Sequence, residues 1–142
     1  MVSEATRRPA KPLPELEGLA KEFYAFCRQG ELRFQRCSGC GAWRHVPREM
    51  CAACGSFEWE WSKSSGRGRV FTWTVVARAL HPAFAQDVPF APAVIELEEG
   101  VRLLSQVVDC APEALCVGMP VEVVFDAATP EIALPRFRRA PD

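Results

Sequence analysis

The chain has 142 residues, 49% of them hydrophobic and 25% charged, with a formal net charge of −1 at pH 7. This composition is that of a globular protein with one domain of ordinary size or two small ones, which excludes a chain that is disordered throughout. No stretch approaches the roughly 20 apolar residues of a membrane helix, and the first residues lack the apolar region of a secretory signal, so we expect a cytoplasmic protein with no membrane partner.

The N-terminal region divides into a lead-in and a predicted helix. Residues 1–12 contain prolines and basic residues without periodicity, which is typical of a mobile chain end. Residues 14–29 predict a helix, because Pro14 is tolerated in a first turn and Gly30 favours a stop. The apolar face of this helix is formed by side chains at helical spacing, namely Leu16, Leu19, Ala20, Phe23 and Cys27. This face either joins the core or docks on a partner.

Four cysteines follow in two Cys-x-x-Cys pairs, Cys37 with Cys40 and Cys51 with Cys54, with ten residues between the pairs. Such pairs hold structural zinc on two tight knuckles. Roughly 25 residues bury too little apolar surface to fold alone, whereas a structural zinc contributes on the order of 10 to 16 kcal/mol. Zinc held by four thiolates has no open position for a substrate or an activated water. We therefore expect one structural zinc ion and no chemistry at the metal.

Two other uses of these cysteines fit the sequence less well. The total of seven cysteines is odd and no export signal is visible, which argues against a disulfide framework. A thioredoxin-like redox motif has a single Cys-x-x-Cys before a helix, whereas here the motif is duplicated and is followed by strand-like sequence. The remaining Cys27, Cys110 and Cys116 are interpreted as small buried side chains.

Strands of a zinc ribbon are predicted on both sides of the knuckles. Residues 31–36 and 57–61 alternate apolar and polar side chains, and residues 42–47 supply a short hairpin between the cysteine pairs. Residues 62–68 are rich in serine and glycine. This segment predicts a hinge between the ribbon and the domain that follows.

After residue 68 the sequence predicts five strands and one short helix. The strands are segments rich in β-branched and other apolar residues, at 69–79, 91–98, 101–108, 120–125 and 132–137. Pro112 begins and Gly118 ends a short helix between the third and fourth strands. This order is that of an OB-fold barrel, with an SH3-like barrel as the alternative. The chain is thus predicted to be mainly β, with a lead-in and helix over 1–30, a zinc ribbon over 31–62 and a five-stranded OB-fold over 63–142.

A long loop, residues 81–92, joins the first two barrel strands. Long loops in compact domains are commonly functional. The apolar residues Phe84, Val88 and Phe90 either meet a ligand or partner, or fold back on the barrel. His81, at the start of this loop, is the histidine that we expect nearest to a substrate, whereas His45 within the ribbon is interpreted as a packing residue.

Taken together and in order, the motifs resemble those of a known family. They are GELRFQRCSGCG, PREMCAACGS, EWSKSSGRGRVFTWTVV, VIELEEGVRLLSQV and VGMPVEVVF, within residues 23–125. The chain is similar to bacterial and archaeal acyl-CoA-associated OB-fold proteins with an N-terminal rubredoxin-like zinc ribbon, formerly a domain of unknown function. The resemblance implies an auxiliary subunit that bridges and stabilises a thiolase-superfamily enzyme (thiolase, acyltransferase or aldolase) or a MaoC-type enoyl-CoA hydratase. It also implies that the OB-fold helps to seat the CoA thioester.

Contact with CoA requires cations for its phosphates and an apolar slot for its pantetheine arm. We expect Arg67 and Arg69, in a glycine-rich turn, to be the first such cations, with Arg136, Arg138 and Arg139 second. The sequence shows no nucleophile with a neighbouring base, no Gly-x-Ser-x-Gly elbow and no Walker loop. We therefore assign no catalytic residue to this chain.

Two other functions remain as alternatives. Zinc ribbons and OB-folds also bind single-stranded nucleic acid through basic grooves and stacked aromatic side chains. Residues 1–70 hold 12 basic residues against 8 acids, but residues 71–142, which contain the barrel, hold 5 against 10. An acidic barrel repels phosphates, so we expect no nucleic-acid partner. The chain could also be an enzyme in its own right, which turnover of an acyl-CoA by the purified chain, lost in His81→Ala, would reveal.

Overall fold

The computed structural model describes residues 10–141, and the first nine residues of the predicted lead-in lie outside that range. One helix and eight strands follow in chain order: α1 (Gly18–Arg28), β1 (Arg33–Cys37), β2 (Trp43–Arg44), β3 (Trp59–Lys63), β4 (Arg67–Trp73), β5 (Pro92–Leu97), β6 (Arg102–Gln106), β7 (Pro120–Ala127) and β8 (Ala133–Arg139). Two short 3-10 helices lie at Pro82–Phe84 and Pro112–Ala114. Within the described part of the chain, no helix has the length and apolar character needed to cross a membrane.

Helix α1 begins at Gly18, four residues later than the sequence predicts. Residue Glu17, which precedes the helix, has extended backbone (φ −128°, ψ 147°). Residues 10–17 form no helix or strand, and Lys11 within them pairs with Asp87 in the loop before β5. The predicted first helical turn, at residues 14–17, is therefore not formed, and the segment before α1 contacts the long loop instead.

The zinc ribbon is a three-stranded antiparallel sheet in the order β2-β1-β3. The apolar side chains of β1 face α1: Phe34 is fully buried and its ring lies 6.4 Å from that of Phe23 in the helix. Cys27, one turn further along α1, is also buried. The apolar face of the helix is therefore part of the core. Of the two predicted roles of this face, packing in the core and docking on a partner, the structure shows the first.

The five barrel strands form an antiparallel sheet in the order β6-β5-β4-β7-β8. The sheet curls so that its two edge strands meet at one end, through a parallel bridge between Val107 and Phe137. Alternate side chains of β5 point inward, so that Ala93, Ile95 and Leu97 are buried. This strand order, with a short helical turn between β6 and β7, confirms the predicted OB-fold.

The segment that the sequence predicts to be a hinge is held in place instead. Strand β3 continues to Lys63 and β4 begins at Arg67, which leaves only residues 64–66 between ribbon and barrel. The Ser64 N–H donates to the carbonyl of Leu32 (2.8 Å), and the Ser64 hydroxyl donates to the carboxylate of Glu99 in the β5–β6 turn. The junction is therefore a short connection with hydrogen bonds to both the ribbon and the barrel.

Candidate metal centre and barrel groove

The four cysteine sulfurs of the two knuckles converge at the end of the ribbon. All four Sγ atoms lie within 4.8 Å of one another, and the pairs Cys37–Cys54 and Cys40–Cys51 are separated by 3.6 Å and 3.7 Å. A tetrahedral zinc with Zn–S bonds of about 2.3 Å places its sulfurs about 3.8 Å apart. The sulfurs are therefore positioned to bind one metal ion, as the sequence predicts.

The two knuckles have the same backbone geometry. In the first, the Gly41 N–H donates to the Cys37 carbonyl at 2.9 Å, and in the second the Gly55 N–H donates to the Cys51 carbonyl at 2.8 Å. Both glycines have a φ of +77°. Glycine adopts this backbone conformation freely, whereas residues with a side chain rarely do. The glycine that follows each Cys-x-x-Cys pair thus allows the tight turn that brings its two sulfurs together.

Backbone amides of the knuckles favour thiolates at this site. The amides of Cys40 and Gly39 lower the pKa of the Cys37 thiol to about 6. The Ser56 amide acts on Cys54 in the same direction, but neighbouring sulfurs outweigh it and raise the pKa of the Cys54 thiol to about 11. Four crowded sulfurs cannot all ionise without a cation between them, so this donor set fits a divalent metal such as zinc.

All seven cysteines are free thiols, so no disulfide framework exists in this chain. The Sγ–Sγ distances of the metal-site cysteines also exceed by far the roughly 2.05 Å of a disulfide bond. Cys27 is buried, which raises the pKa of its thiol to about 12, whereas Cys110 is half-buried and Cys116 is exposed. The expectation that all three of these cysteines are buried is therefore wrong for Cys110 and Cys116, which lie in the connection between β6 and β7.

A buried glutamine organises the chain between the two knuckles. The Gln35 amide nitrogen donates to the Arg48 carbonyl (2.8 Å), and its oxygen accepts from the Arg48 N–H (2.7 Å) and from Arg44 Nε (3.0 Å). Gln35 is completely buried. The Gln35 side chain therefore provides hydrogen bonds to Arg44 and Arg48 that a neighbouring strand would otherwise provide. No pattern in the sequence indicates this role.

His45 packs against aromatic rings of α1 and the ribbon. Its ring lies 4.9 Å from the ring of Phe23 and 5.3 Å from that of Phe34. Burial lowers the pKa of this imidazole to about 4, because the surrounding apolar side chains disfavour its charged form. At neutral pH the residue is an uncharged packing group.

A groove follows the seam between the edge strands β6 and β8. We call it the seam groove. Its ribbon side, of about 520 Å³, is lined among others by Val46, Arg102, Leu104, Pro135 and Arg136. Its loop side, of about 500 Å³, shares Leu104 and Arg136 and is also lined by Lys11, Phe84, Asp87 and Phe90. The groove therefore combines apolar walls with three cationic side chains.

The arginines predicted to meet CoA are not brought together by the fold. Arg67 pairs with Glu98 (3.3 Å), Arg138 donates to Glu122 (2.7 Å), and Arg69 donates to the Gly118 carbonyl (2.9 Å).

Arg136 occupies a different position from these three arginines. It is half-buried in the seam groove, with no ion pair to any carboxylate of residues 10–141. Arg139 is exposed at the end of β8. Arg136 is therefore the predicted arginine whose charge is available inside a groove.

The sequence reasoning missed two cations of the groove, Lys11 and Arg102. Arg102 lies on an outward-facing position of β6, and its guanidinium stacks 3.8 Å above the ring of Phe71. Strand alternation could have indicated that Arg102 faces outward, but not that a groove lies beside it. Lys11 reaches the groove from a segment without any periodicity, so no local pattern could have indicated its position.

The long loop folds back on the barrel. Phe90 forms a β-bridge with Val76, and its ring lies 5.9 Å from that of Phe84. His81 Nδ1 accepts a hydrogen bond from the Ala83 N–H (3.0 Å) and so caps the short helix Pro82–Phe84. Of the three loop residues predicted to meet a substrate or partner, Phe84 and Phe90 line the groove and His81 does not.

Two family models match adjoining parts of this chain. Residues 25–60 match the rubredoxin-like zinc ribbon domain of ChsH2, and residues 61–126 match the ChsH2 C-terminal OB-fold domain. The two matches meet between Glu60 and Trp61, within β3. Together they cover the metal site, the junction and most of the barrel.

The chain is similar to an enzyme subunit and to a scaffold protein. The chain is 36% identical over 138 residues to a probable enoyl-CoA hydratase alpha subunit of Thermomonospora curvata, which covers 97% of this chain and 43% of that protein. It is 45% identical over 91 residues to a DUF35 domain-containing scaffold protein of Methanocaldococcus jannaschii, which covers 63% of this chain and 64% of that protein. The chain thus spans less than two thirds of the length of both curated relatives.

A solved structure shows the same fold at a similar level of identity. A chain of the Ltp2-ChsH2(DUF35) aldolase superposes with a TM-score of 0.78 at 38% identity, and the match covers 85% of this chain and 94% of that one. Both family models, the curated relatives and this structure agree with the order of ribbon and barrel found here. The chain belongs to the DUF35 family of ChsH2-type proteins, which join a rubredoxin-like zinc ribbon to an OB-fold.

Proposed function

We propose that this chain is a non-catalytic, zinc-stabilised auxiliary subunit of a heteromeric acyl-CoA enzyme. The observation that carries the proposal is the similarity, over 97% of the chain, to a protein named as an enoyl-CoA hydratase alpha subunit. The relative named as an aldolase with a DUF35 component supports the same kind of assembly. The partner is a thiolase-like or MaoC-like subunit, which this chain bridges and stabilises and which supplies the catalytic residues.

The chemistry of the described side chains supports a role without catalysis. Metal ligation by four cysteines leaves no open position at the metal. Of the two histidines, His45 is buried between aromatic rings, and the Nδ1 atom of His81 already accepts a hydrogen bond from its own loop. His45 does line the ribbon side of the seam groove, but its Nδ1 atom has no hydrogen-bond partner among the described residues, whereas a catalytic base is normally oriented by such a partner.

The seam groove is the site where we place CoA. The pantetheine arm is a flexible chain with apolar and amide groups, and the phosphates are anionic. Leu104 and Pro135 offer apolar wall, while Arg136 offers a cation that no carboxylate of residues 10–141 neutralises. This assignment revises the expected order of the arginines, because Arg67, Arg69 and Arg138 already have partners.

The backbone on either side of the groove favours an amide-containing ligand. Strands β6 and β8 are the two ends of the sheet order; the bridge at Val107 and Phe137 joins them at one end, and the Ser105 hydroxyl donates to the Pro135 carbonyl (2.7 Å). Edge strands present backbone N–H and C=O groups that have no strand partner. Such groups bind extended ligands with amide groups in the way that sheet edges bind peptides.

The groove assignment is tested by a matched pair of substitutions in β8. Arg136→Gln removes the cation in the groove, whereas Arg138→Gln removes an arginine of the same strand whose charge is already paired with Glu122. We expect Arg136→Gln to weaken CoA binding about ten- to hundredfold, because a charge-assisted hydrogen bond contributes about 1.5 to 3 kcal/mol, and Arg138→Gln to leave it within about twofold. Isothermal titration of the zinc-bound protein, alone and with its partner, measures both. Equal effects of the two substitutions would remove CoA from this groove.

The auxiliary role is tested by reconstitution. We expect the purified chain alone to turn over no acyl-CoA, and the catalytic subunit to gain stability and turnover when the two chains are co-expressed. Size-exclusion chromatography with light scattering measures the complex, and an acyl-CoA assay measures turnover. A chain that stays monomeric beside every thiolase-like and MaoC-like subunit of its host contradicts the proposal. Turnover by the chain alone, lost in His81→Ala, would make it an enzyme.

The charge pattern of the barrel disfavours the nucleic-acid alternative. On the outward face of β4, β7 and β8, Glu122 lies in register between Arg67 and Arg138, and Glu98 pairs with Arg67. These charges neutralise one another, whereas a site for single strands needs a continuous positive groove. Salt-sensitive binding of a single-stranded oligonucleotide at physiological ionic strength would reverse this ranking.

A further inference from the structure

The segment before α1 is attached to the long loop by one ion pair. We call residues 10–17 the N-terminal strap. Lys11 Nζ in this strap lies 2.6 Å from a carboxylate oxygen of Asp87 and 5.4 Å from the ring centroid of Phe84. Lys11, Asp87 and Phe84 all line the loop side of the seam groove. The contact between strap and loop is therefore also a wall of the groove.

The loop is anchored to the barrel by backbone hydrogen bonds only at its C-terminal end. Phe90 exchanges hydrogen bonds with Val76 (2.8 and 3.2 Å), whereas the Ala85 N–H and the Asp87 N–H donate to carbonyls within the loop itself. Residues 82–87 therefore form a small unit of their own. Lys11 is the charged side chain that joins this unit to the strap.

This ion pair is weak enough to open readily. Its two side chains are 53% and 42% exposed, and water and salt screen such pairs. Exposed pairs of this kind shift an equilibrium by only about two- to fivefold. Loss of the ion pair therefore shifts the balance between a closed and an open arrangement by no more than about fivefold.

We propose that Lys11 and Asp87 form the latch of a strap that closes the loop side of the seam groove. Opening of the latch separates the strap from residues 82–87 and widens the groove beside Arg136. Because the latch is an exposed ion pair, salt opens it, and so does an anionic group that competes for Lys11. The inference concerns the shape of the groove and does not depend on which ligand the groove binds.

Charge reversal and charge exchange test the latch in the full, zinc-bound chain without any ligand. Hydrogen–deuterium exchange of peptides covering 82–90 is measured for the unmodified protein, Lys11→Glu, Asp87→Lys and the double variant that exchanges the two charges. We expect each single reversal to accelerate exchange about two- to fivefold, because like charges then face each other, and the double variant to return towards the unmodified rate. Arg67→Glu, a reversal in the similarly exposed pair with Glu98, serves as the matched control and should leave this loop unchanged.

The salt dependence of hydrogen–deuterium exchange in the unmodified protein tests the latch independently. Raising the ionic strength from about 0.01 M to about 1 M shortens the Debye length from about 30 Å to about 3 Å, so the latch should open and exchange in 82–90 should rise. The same change should have little effect on Lys11→Glu. Unchanged exchange in both single variants, a double variant as fast as the singles, or a loop that ignores salt would each overturn the latch. Failure of CoA to bind would leave this result unaffected, so the two proposals are tested separately.

Discussion

The Ser64 hydroxyl donates a hydrogen bond to the Glu99 carboxylate and accepts one from the Gly66 N–H (3.0 Å), so a single buried side chain joins the end of the ribbon to a turn of the barrel. The Ser65 hydroxyl lies 3.5 Å from the other oxygen of the same carboxylate. Ribbon and barrel therefore meet at a short junction that side-chain hydrogen bonds connect. A partner subunit that binds both would find them already oriented.

Ser64→Ala should loosen this junction. The substitution leaves the buried Gly66 N–H without its partner and removes the shorter of the two hydrogen bonds to the half-buried Glu99 carboxylate, and an unsatisfied buried group costs about 1 to 3 kcal/mol. Ser65→Ala is the matched control, because Ser65 is exposed and lies 3.5 Å from the same carboxylate. Urea unfolding of the zinc-bound protein gives the free energies, and we expect the control to change by less than about 0.5 kcal/mol. Similar losses in both variants would show that the Ser64 hydrogen bonds do not hold the junction.

Zinc removal should unfold the ribbon. Elemental analysis should find one zinc per chain, and a chelator or Cys54→Ser should remove the binding energy of roughly 10 to 16 kcal/mol that orders the ribbon. Three of the four tryptophans, Trp43, Trp59 and Trp61, lie in ribbon strands, so tryptophan fluorescence reports this loss directly. Cys116→Ser, at an exposed cysteine between β6 and β7, should leave metal content and fluorescence unchanged. Full fluorescence after zinc removal would contradict the prediction.

Gln35→Met should destabilise the ribbon. Methionine has about the same volume as glutamine, so the expected loss comes from the missing hydrogen bonds and not from a cavity. The Arg48 N–H and Arg44 Nε would lose the acceptor that now satisfies them, whereas the Arg48 carbonyl would keep its hydrogen bond from Arg44 Nη2 (2.8 Å). We expect a loss of about 2 to 4 kcal/mol in unfolding free energy, because more than one group is left unpaired. Gln29→Met, at an exposed position after α1, should stay within about 0.5 kcal/mol. A neutral result for Gln35→Met would mean that water replaces the network.

His45 should make stability depend on pH in the acid range. Its pKa is 6.5 in the unfolded chain and about 4 in the folded protein, so the unfolded state binds the proton first as pH falls. The contribution of neutral His45 is complete above pH 6.5 and is lost progressively towards pH 4. Between pH 6.5 and about pH 5 the loss should be about 1 to 2 kcal/mol.

His45→Leu isolates this effect, because the cysteine ligands titrate in both proteins. The difference in unfolding free energy between the two zinc-bound proteins, measured at several pH values, should therefore change by about 1 to 2 kcal/mol in favour of the variant as pH falls from 6.5 to about 5. Parallel pH profiles would show that His45 becomes protonated in the folded protein without penalty.

The sequence reasoning found the five barrel strands and the metal ligands because both depend on local patterns. Alternation of apolar side chains marks a strand wherever it lies, and a Cys-x-x-Cys pair followed by glycine forms its knuckle from neighbouring residues alone. The sequence predicts a start of α1 that is four residues too early, because Pro14 suits a helical first turn and no local pattern indicates the contact of Lys11 with Asp87. The hinge prediction failed for a related reason, since the hydrogen bond of Ser64 joins residues 35 positions apart.

Residue order alone therefore established the zinc ribbon, the OB-fold and the family, because each is a pattern of side-chain types at short spacing. The curl of the barrel decided the rest: it brings β6 and β8 together, places Arg136 in a groove and leaves Arg67 and Arg138 paired with acids. Long-range contacts of this kind depend on how the strands close in space. For this reason residue order alone does not indicate that Arg136, rather than Arg67 or Arg138, has its charge available in a groove.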